Sequence, residues 1–309
     1  MTPAEPATQT IDAPEGSDSA LPAAYLLAEP ARQSAAVVYA SPHSGRFYPP
    51  DFLERSRLDP HTLRASEDVY VDELFSAAPQ HGSPLLQAVY ARAYLDVNRE
   101  AWELDPDMFH DPLPDYVQTK SGRISAGLGT IARVVAAGTA IYAGRLTFAD
   151  AQHRIAHVYE PYHAAQARLL DRAHQQFGCA VLIDCHSMPS TGSSWGDMPL
   201  KSKNVHADFI LGDRYGRTCA PEIMDATDSY LSGLGFNVAR NAPYSGGYNT
   251  IFHGKPAEAR HAMQIEINRA LYVNEETLER TADFPALRDG LTGLIQRLAD
   301  IPADSLKVA

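Results

Sequence analysis

AAVVYASPHSG, residues 35–45, is an apolar run that ends without a spacer on Ser-Pro-His-Ser-Gly. The run reads as a strand, and Pro42 and Gly45 read as the turn that stops it. His43 then sits at the tip of the turn. A strand that ends this way presents an imidazole for chemistry, or it simply makes a turn; the residues around it must decide.

Working outward, further short apolar runs recur: LLQAVY (85–90), AYLDV (93–97), AVLIDC (180–185), DFILG (208–212), FNVAR (236–240) and MQIEI (263–267). Between them lie amphipathic segments that read as helices: 67–78, one within 147–177, 221–234 and 275–299. In the long segment Ile155, Val158, Tyr159 and Tyr162 recur at three and four residues, giving one buried face, and Pro161 is expected to kink or break that helix. Strands alternating with helices predict an α/β fold in one domain, with a mixed, mostly parallel sheet flanked by helices. Sites on such sheets lie beyond the carboxyl ends of the strands. The segment from Trp102 to Arg133 is rich in Pro, Asp and Gly and reads as a loop that walls a pocket.

The chain has 309 residues, 26 Lys+Arg against 38 Asp+Glu, and a formal net charge of −12. An acidic chain is a poor general partner for nucleic acid, although local arginines can still hold a small anion. No apolar run is long enough to span a membrane. Three cysteines, Cys179, Cys185 and Cys219, form no CxxC pair and favour a reducing compartment, so the expected location is the cytoplasm. Residues 1–22 are acidic and rich in Pro, Ala, Ser and Thr, and read as a disordered tail before one folded domain over 23–309. The oligomeric state is not legible.

Three polar residues lie at element ends: His43, Asp68 at the start of the 67–78 segment, and His186 directly after AVLIDC. Two histidines and a carboxylate are the minimal protein set of a catalytic zinc site, with the fourth position left to water. Each also has an ordinary reading, as a turn residue, a helix cap or a strand-end polar group; Glu67 is an alternative carboxylate. Glu266 lies inside MQIEIN. It is either a general base buried near a metal or a solvent-facing residue of an edge strand that alternates Gln264, Glu266, Asn268. Arg99, after AYLDVN, and Arg133, after GLGTIA, are candidate carboxylate binders. Tyr248 follows a double glycine in SGGYNT, and His163 sits in EPYH on the long helix. Cys185 neighbours His186 but must face the other side of the strand, and no GxSxG elbow is present.

Taken together and in order, SPHSG, EDVYVDELF, YLDVNR, PYH, DCHSM, DFILGD, GGYNT and QIEIN resemble the N-formylglutamate amidohydrolase (N-formylglutamate deformylase) family over roughly residues 35 to 290. The resemblance implies a fold like that of the zinc carboxypeptidases and aspartoacylases, and a Zn²⁺ ion, or another divalent metal, held by His43, Asp68 and His186. It implies Glu266 as the catalytic base, with Arg99, Arg133, Tyr248 and His163 around a small anionic N-acyl amino acid. The implied reaction releases formate from N-formyl-L-glutamate, as in histidine degradation. The short HxxE pair of the zinc carboxypeptidases is missing, because Ser44, Gly45 and Arg46 follow His43. Two other expectations remain open: a different N-acyl or peptide amide substrate on the same scaffold, and a metal-retaining binding protein without turnover. The segments 102–133 and 187–197 are expected to shape the pocket.

Overall fold

The computed structural model describes residues 21–135, 138–190 and 207–307. The predicted tail therefore lies almost wholly outside the described residues, as does most of the 187–197 segment.

Seven strands form one mixed sheet: β1 (Tyr25–Ala28), β2 (Val37–Ser41), β3 (Leu85–Ala88), β4 (Ala180–Met188), β5 (Phe209–Gly212), β6 (Val238–Arg240) and β7 (Arg260–Asn268). Their spatial order is β1-β3-β2-β4-β7-β5-β6. The four pairs β2–β3, β2–β4, β4–β7 and β5–β6 are parallel, whereas β1–β3 and β5–β7 are antiparallel. The α/β, mostly parallel sheet expected from the alternation of runs is the one observed.

The main helices are α1 (Val71–Leu74), α2 (Phe148–Arg154), α3 (Glu160–Phe177), α4 (Pro221–Gly233), α5 (Tyr248–His253) and α6 (Phe284–Ala299). Strand alternation divides the core between the two sheet faces. Val38, Ala40, Leu182 and Ala262 pack with α2 and α3 on one face; Val37, Tyr39, Ile183, Cys185 and Ile265 pack with α4 and α6 on the other. Both cores are apolar, so the central strands read as near-continuous hydrophobic runs.

Three local readings are corrected. The 67–78 segment is helical only over Val71–Leu74, because Tyr70 adopts a left-handed conformation (φ 62°) that prevents a helix starting at Asp68. AYLDV is not a strand: residues 93–97 form buried turns, so Arg99 follows a turn. Pro161 does not break its helix. A π-helical turn over Ile155–Tyr159 joins α2 to α3 immediately before it. Such widening accommodates a residue that cannot donate the next backbone hydrogen bond.

Candidate metal centre and active-site cavity

Parallel pairing in register sets four polar side chains into a block. β4 and β7 align Asp184 with Gln264 and His186 with Glu266. Residues two apart share a face, so all four project from the same side of the sheet. They continue the line of Leu182 and Ala262, which are core residues further back along the strands. His43, two residues past β2, reaches the same place from the neighbouring strand.

His43, Asp68 and His186 converge: one donor atom from each lies within 4.8 Å of the others, and all three are buried. Nδ1 of His186 is 3.0 Å and Nδ1 of His43 is 3.3 Å from the same oxygen, Asp68 Oδ2. His43 Nδ1 makes no hydrogen bond among the described residues. An orphaned buried nitrogen beside a carboxylate oxygen and a second imidazole nitrogen fits a divalent cation, and the N,N,O donor set is that of a catalytic zinc site.

The far nitrogens are fixed by carboxylates. His43 Nε2 lies 2.7 Å from Asp96 Oδ1, and His186 Nε2 lies 2.9 Å from Asp184 Oδ2. Asn98 and Asn249 complete the frame: Asn98 Nδ2 donates to Asp184 Oδ2 (3.0 Å), Asn249 Nδ2 donates to Asp184 Oδ1 (3.1 Å), and Asn249 N donates to Asn98 Oδ1 (2.8 Å). Arg269 Nη2 donates to Asp68 Oδ1 at 3.0 Å, leaving Oδ2 to the two histidines. Asp96, Asp184 and Arg269 are the residues that sequence reasoning missed. The i, i+2 spacing of Asp184 and His186 on one strand carried the only signal for any of them.

Burial and neighbouring charge set the ionisation of these groups. Burial opposes ionisation of Asp68, yet the hydrogen bond from His186 and the neighbouring His43 ring hold its carboxyl well below the usual range. Burial alone would lower the His186 pKa, but Asp184 and Asp68 raise it well above the ordinary value. Glu266 behaves differently. Desolvation raises its carboxyl to about 7, and Gln264 Nε2 donates to its Oε1 at 2.6 Å. Its edge-strand reading is excluded, since β7 lies between β4 and β5 and Glu266 is only 8% exposed.

A cavity of about 690 Å³ opens over the block, lined among others by His43, Asp68, His186 and Glu266, and by the arginines Arg92, Arg99, Arg123, Arg214 and Arg269. Arg99 is held by its Nε on Leu128 O and its Nη1 on Asn98 O. Arg133 does not line the cavity; its Nε pairs with Asp105 at 2.9 Å. His163 and Tyr248 also lie behind the lining. His163 Nε2 donates to Val97 O (2.8 Å), burial lowers its pKa to about 4, and its ring packs edge-on against Tyr248 at 5.7 Å. Tyr159, on the π turn, donates to Arg99 O at 2.7 Å. These aromatic residues brace the backbone of residues 97–99 from below. Glu67 accepts from Tyr48 and Arg64 and takes no part in the convergence.

A family model for N-formylglutamate amidohydrolases matches residues 35–273, which spans the block, the triad and the loops around them. The chain belongs to the N-formylglutamate amidohydrolase family. It is 28% identical to an N-formylglutamate deformylase of Pseudomonas putida over 72% of this chain and 74% of that protein. It is 26% identical to an N-formylglutamate deformylase of Pseudomonas aeruginosa over 78% and 83%. The crystal structure of an N-formylglutamate amidohydrolase from Ralstonia eutropha JMP134 superposes with a TM-score of 0.84 at 39% identity, covering 92% of this chain and 99% of that one. A gene product of Agrobacterium tumefaciens, at 17% identity and a TM-score of 0.58, shares the fold.

Proposed function

We propose that this protein hydrolyses N-formyl-L-glutamate to formate and L-glutamate, with a divalent metal, Zn²⁺ from the donor set, held by His43, Asp68 and His186. The observation that carries the reading is the register of His186 against Glu266, which puts a carboxyl of pKa about 7 beside the triad in an arginine-lined cavity. The names of the relatives support the same substrate.

A metal in such a site lowers the pKa of water and polarises an acyl carbonyl. The chain supplies the rest. Glu266 accepts the proton of the attacking water and returns it to the departing amide nitrogen, a task suited to a carboxyl that titrates near neutrality. Asp96 and Asp184 hold the two imidazoles in the tautomer that turns Nδ1 towards Asp68. Arg99 and Arg123 present guanidinium groups for substrate carboxylate. The bond cleaved is a linear, non-peptide C–N bond.

A binding protein without turnover would have no use for Glu266 in this position. The test is formate or carboxylate release from a panel of N-formyl-L-glutamate, N-acetyl-L-glutamate and a glutamyl peptide. Preferential release from the formyl compound supports the proposal; release only from another member moves the activity to a different acyl group, and release from none leaves the binding reading.

A further inference from the structure

Four of the five cavity arginines are balanced or anchored by groups of the fold. Arg92 and Arg99 lie 2.7 and 3.8 Å from Asp96 Oδ2, Arg123 lies 3.8 Å from Glu103, and Arg269 lies 3.0 Å from Asp68. Arg214 differs. Among the described residues its guanidinium meets no carboxylate within 4.0 Å, and its side-chain hydrogen bond goes to a neutral hydroxyl, Ser245 Oγ, at 3.1 Å.

The turn that carries Arg214 is costly to build. Arg214 (φ 55°), Tyr215 (φ 60°) and Gly216 (φ 79°) follow β5 in consecutive left-handed conformations, a region that non-glycine residues rarely adopt. The turn is over-determined by Asn241, itself left-handed, whose Oδ1 accepts from Asp213 N and Tyr215 N while its Nδ2 donates to Asp213 Oδ1. Gly212 brings the 245–247 loop against the strand, where a Cβ would lie 2.7 Å from Ser245 C. Strain maintained in this way collects at functional positions. The wall is also tied to the catalytic carboxyl: Gly247 N donates to Gln264 Oε1, and Gln264 Nε2 donates to Glu266.

Arg99 and Arg214 flank the centre from opposite sides. Arg99 belongs to the loop that braces His43 through Asp96, on the β2 side, whereas Arg214 follows β5, on the other side of β7. In an N-formylglutamate the α-carboxyl carbon is two bonds from the amide nitrogen, and the side-chain carboxyl carbon is four. The arginine bound into the metal-site frame suits the near carboxylate, and the arginine on the distant wall suits the far one. Resting on the proposed function, we propose that Arg214 is the specificity residue that recognises the side-chain carboxylate of the substrate's glutamate, with Arg99 taking the α-carboxylate.

The test compares N-formyl-L-glutamate with its neutral isostere N-formyl-L-glutamine in wild type, R214N and R214K. Asparagine tolerates the left-handed conformation, so R214N retains the turn while losing the guanidinium. The wild-type ratio of kcat/KM for the glutamate over the glutamine compound is expected to fall roughly 10- to 100-fold in R214N, as for a lost charge-assisted hydrogen bond, and to recover in part in R214K. An unchanged ratio overturns the assignment. If wild type releases formate from neither compound, the deformylase reading fails by itself. The assignment is then decided by calorimetric binding of the same two compounds: a preference for the glutamate compound that R214N abolishes supports it, and no preference, or one that R214N leaves intact, overturns it.

Discussion

His43 Nε2 donates to Asp96 Oδ1 at 2.7 Å, and that bond leaves Nδ1 of the same ring facing Asp68. Asp184 does the same for His186. Each imidazole is thus held from behind by a buried carboxylate, which fixes its tautomer and would raise its basicity towards a bound metal.

Removing that support should weaken metal binding without removing a ligand. Asp96→Asn and Asp184→Asn are each expected to lower zinc affinity about 10- to 100-fold. Competition against a chromophoric chelator measures it. Both variants should also lose thermal stability, because Asp184 accepts from Asn98 and Asn249 and Asp96 accepts from Arg92 and the Asn98 backbone.

Glu266→Gln should keep the metal and lose turnover by about 100-fold or more, within the range for a general acid–base residue. Its pKa gives a second readout in chelated protein. A carboxyl raised by burial to about 7 retains a proton in the folded state that the unfolded chain releases near 4.5. Folding stability from this group is therefore present at low pH and lost as pH rises from about 4.5 to about 7. Glu266→Gln cannot lose it, so its stability relative to wild type should increase across that window in denaturant melts.

Arg99→Ala is expected to raise KM for a carboxylate substrate at least tenfold, in line with the loss of a charge-assisted hydrogen bond to a buried cation. Arg133→Ala should leave KM within about twofold, since surface ion pairs such as Arg133–Asp105 contribute little and this one lies outside the cavity lining. Steady-state kinetics on the two variants separates the arginine that lines the cavity from the one that does not.

Gly212→Ala places a methyl 2.7 Å from Ser245 C and 2.9 Å from Gly246 N, both backbone atoms that cannot rotate away. A loss of about 1–3 kcal/mol in unfolding free energy is expected, measured from urea midpoints.

The sheet was legible because its central strands are apolar on both faces, and His43, His186 and Glu266 stood out as polar groups at or inside such runs. AYLDV misled for the same reason. Residues 93–97 are buried, so the run is apolar, but they turn beneath the cavity and pair with no strand. Asp68 looked like a helix cap because sequence does not reveal the left-handed Tyr70 that follows. Asp96, Asn98 and Arg269 could not be assigned from spacing, since they reach the histidines and Asp68 only through tertiary packing. Arg133 and Arg99 look alike in sequence; each lies near a carboxylate, and what separates them is that only Arg99 lines the cavity.

The most direct test of the central claim measures bound metal and formate release from N-formyl-L-glutamate together, on zinc-loaded wild type, chelated wild type and His186→Ala. One equivalent of metal with rapid formate release is predicted for the loaded protein, and loss of both is predicted for the other two samples. Undiminished formate release from thoroughly chelated protein, or full metal occupancy in His186→Ala, would contradict the account.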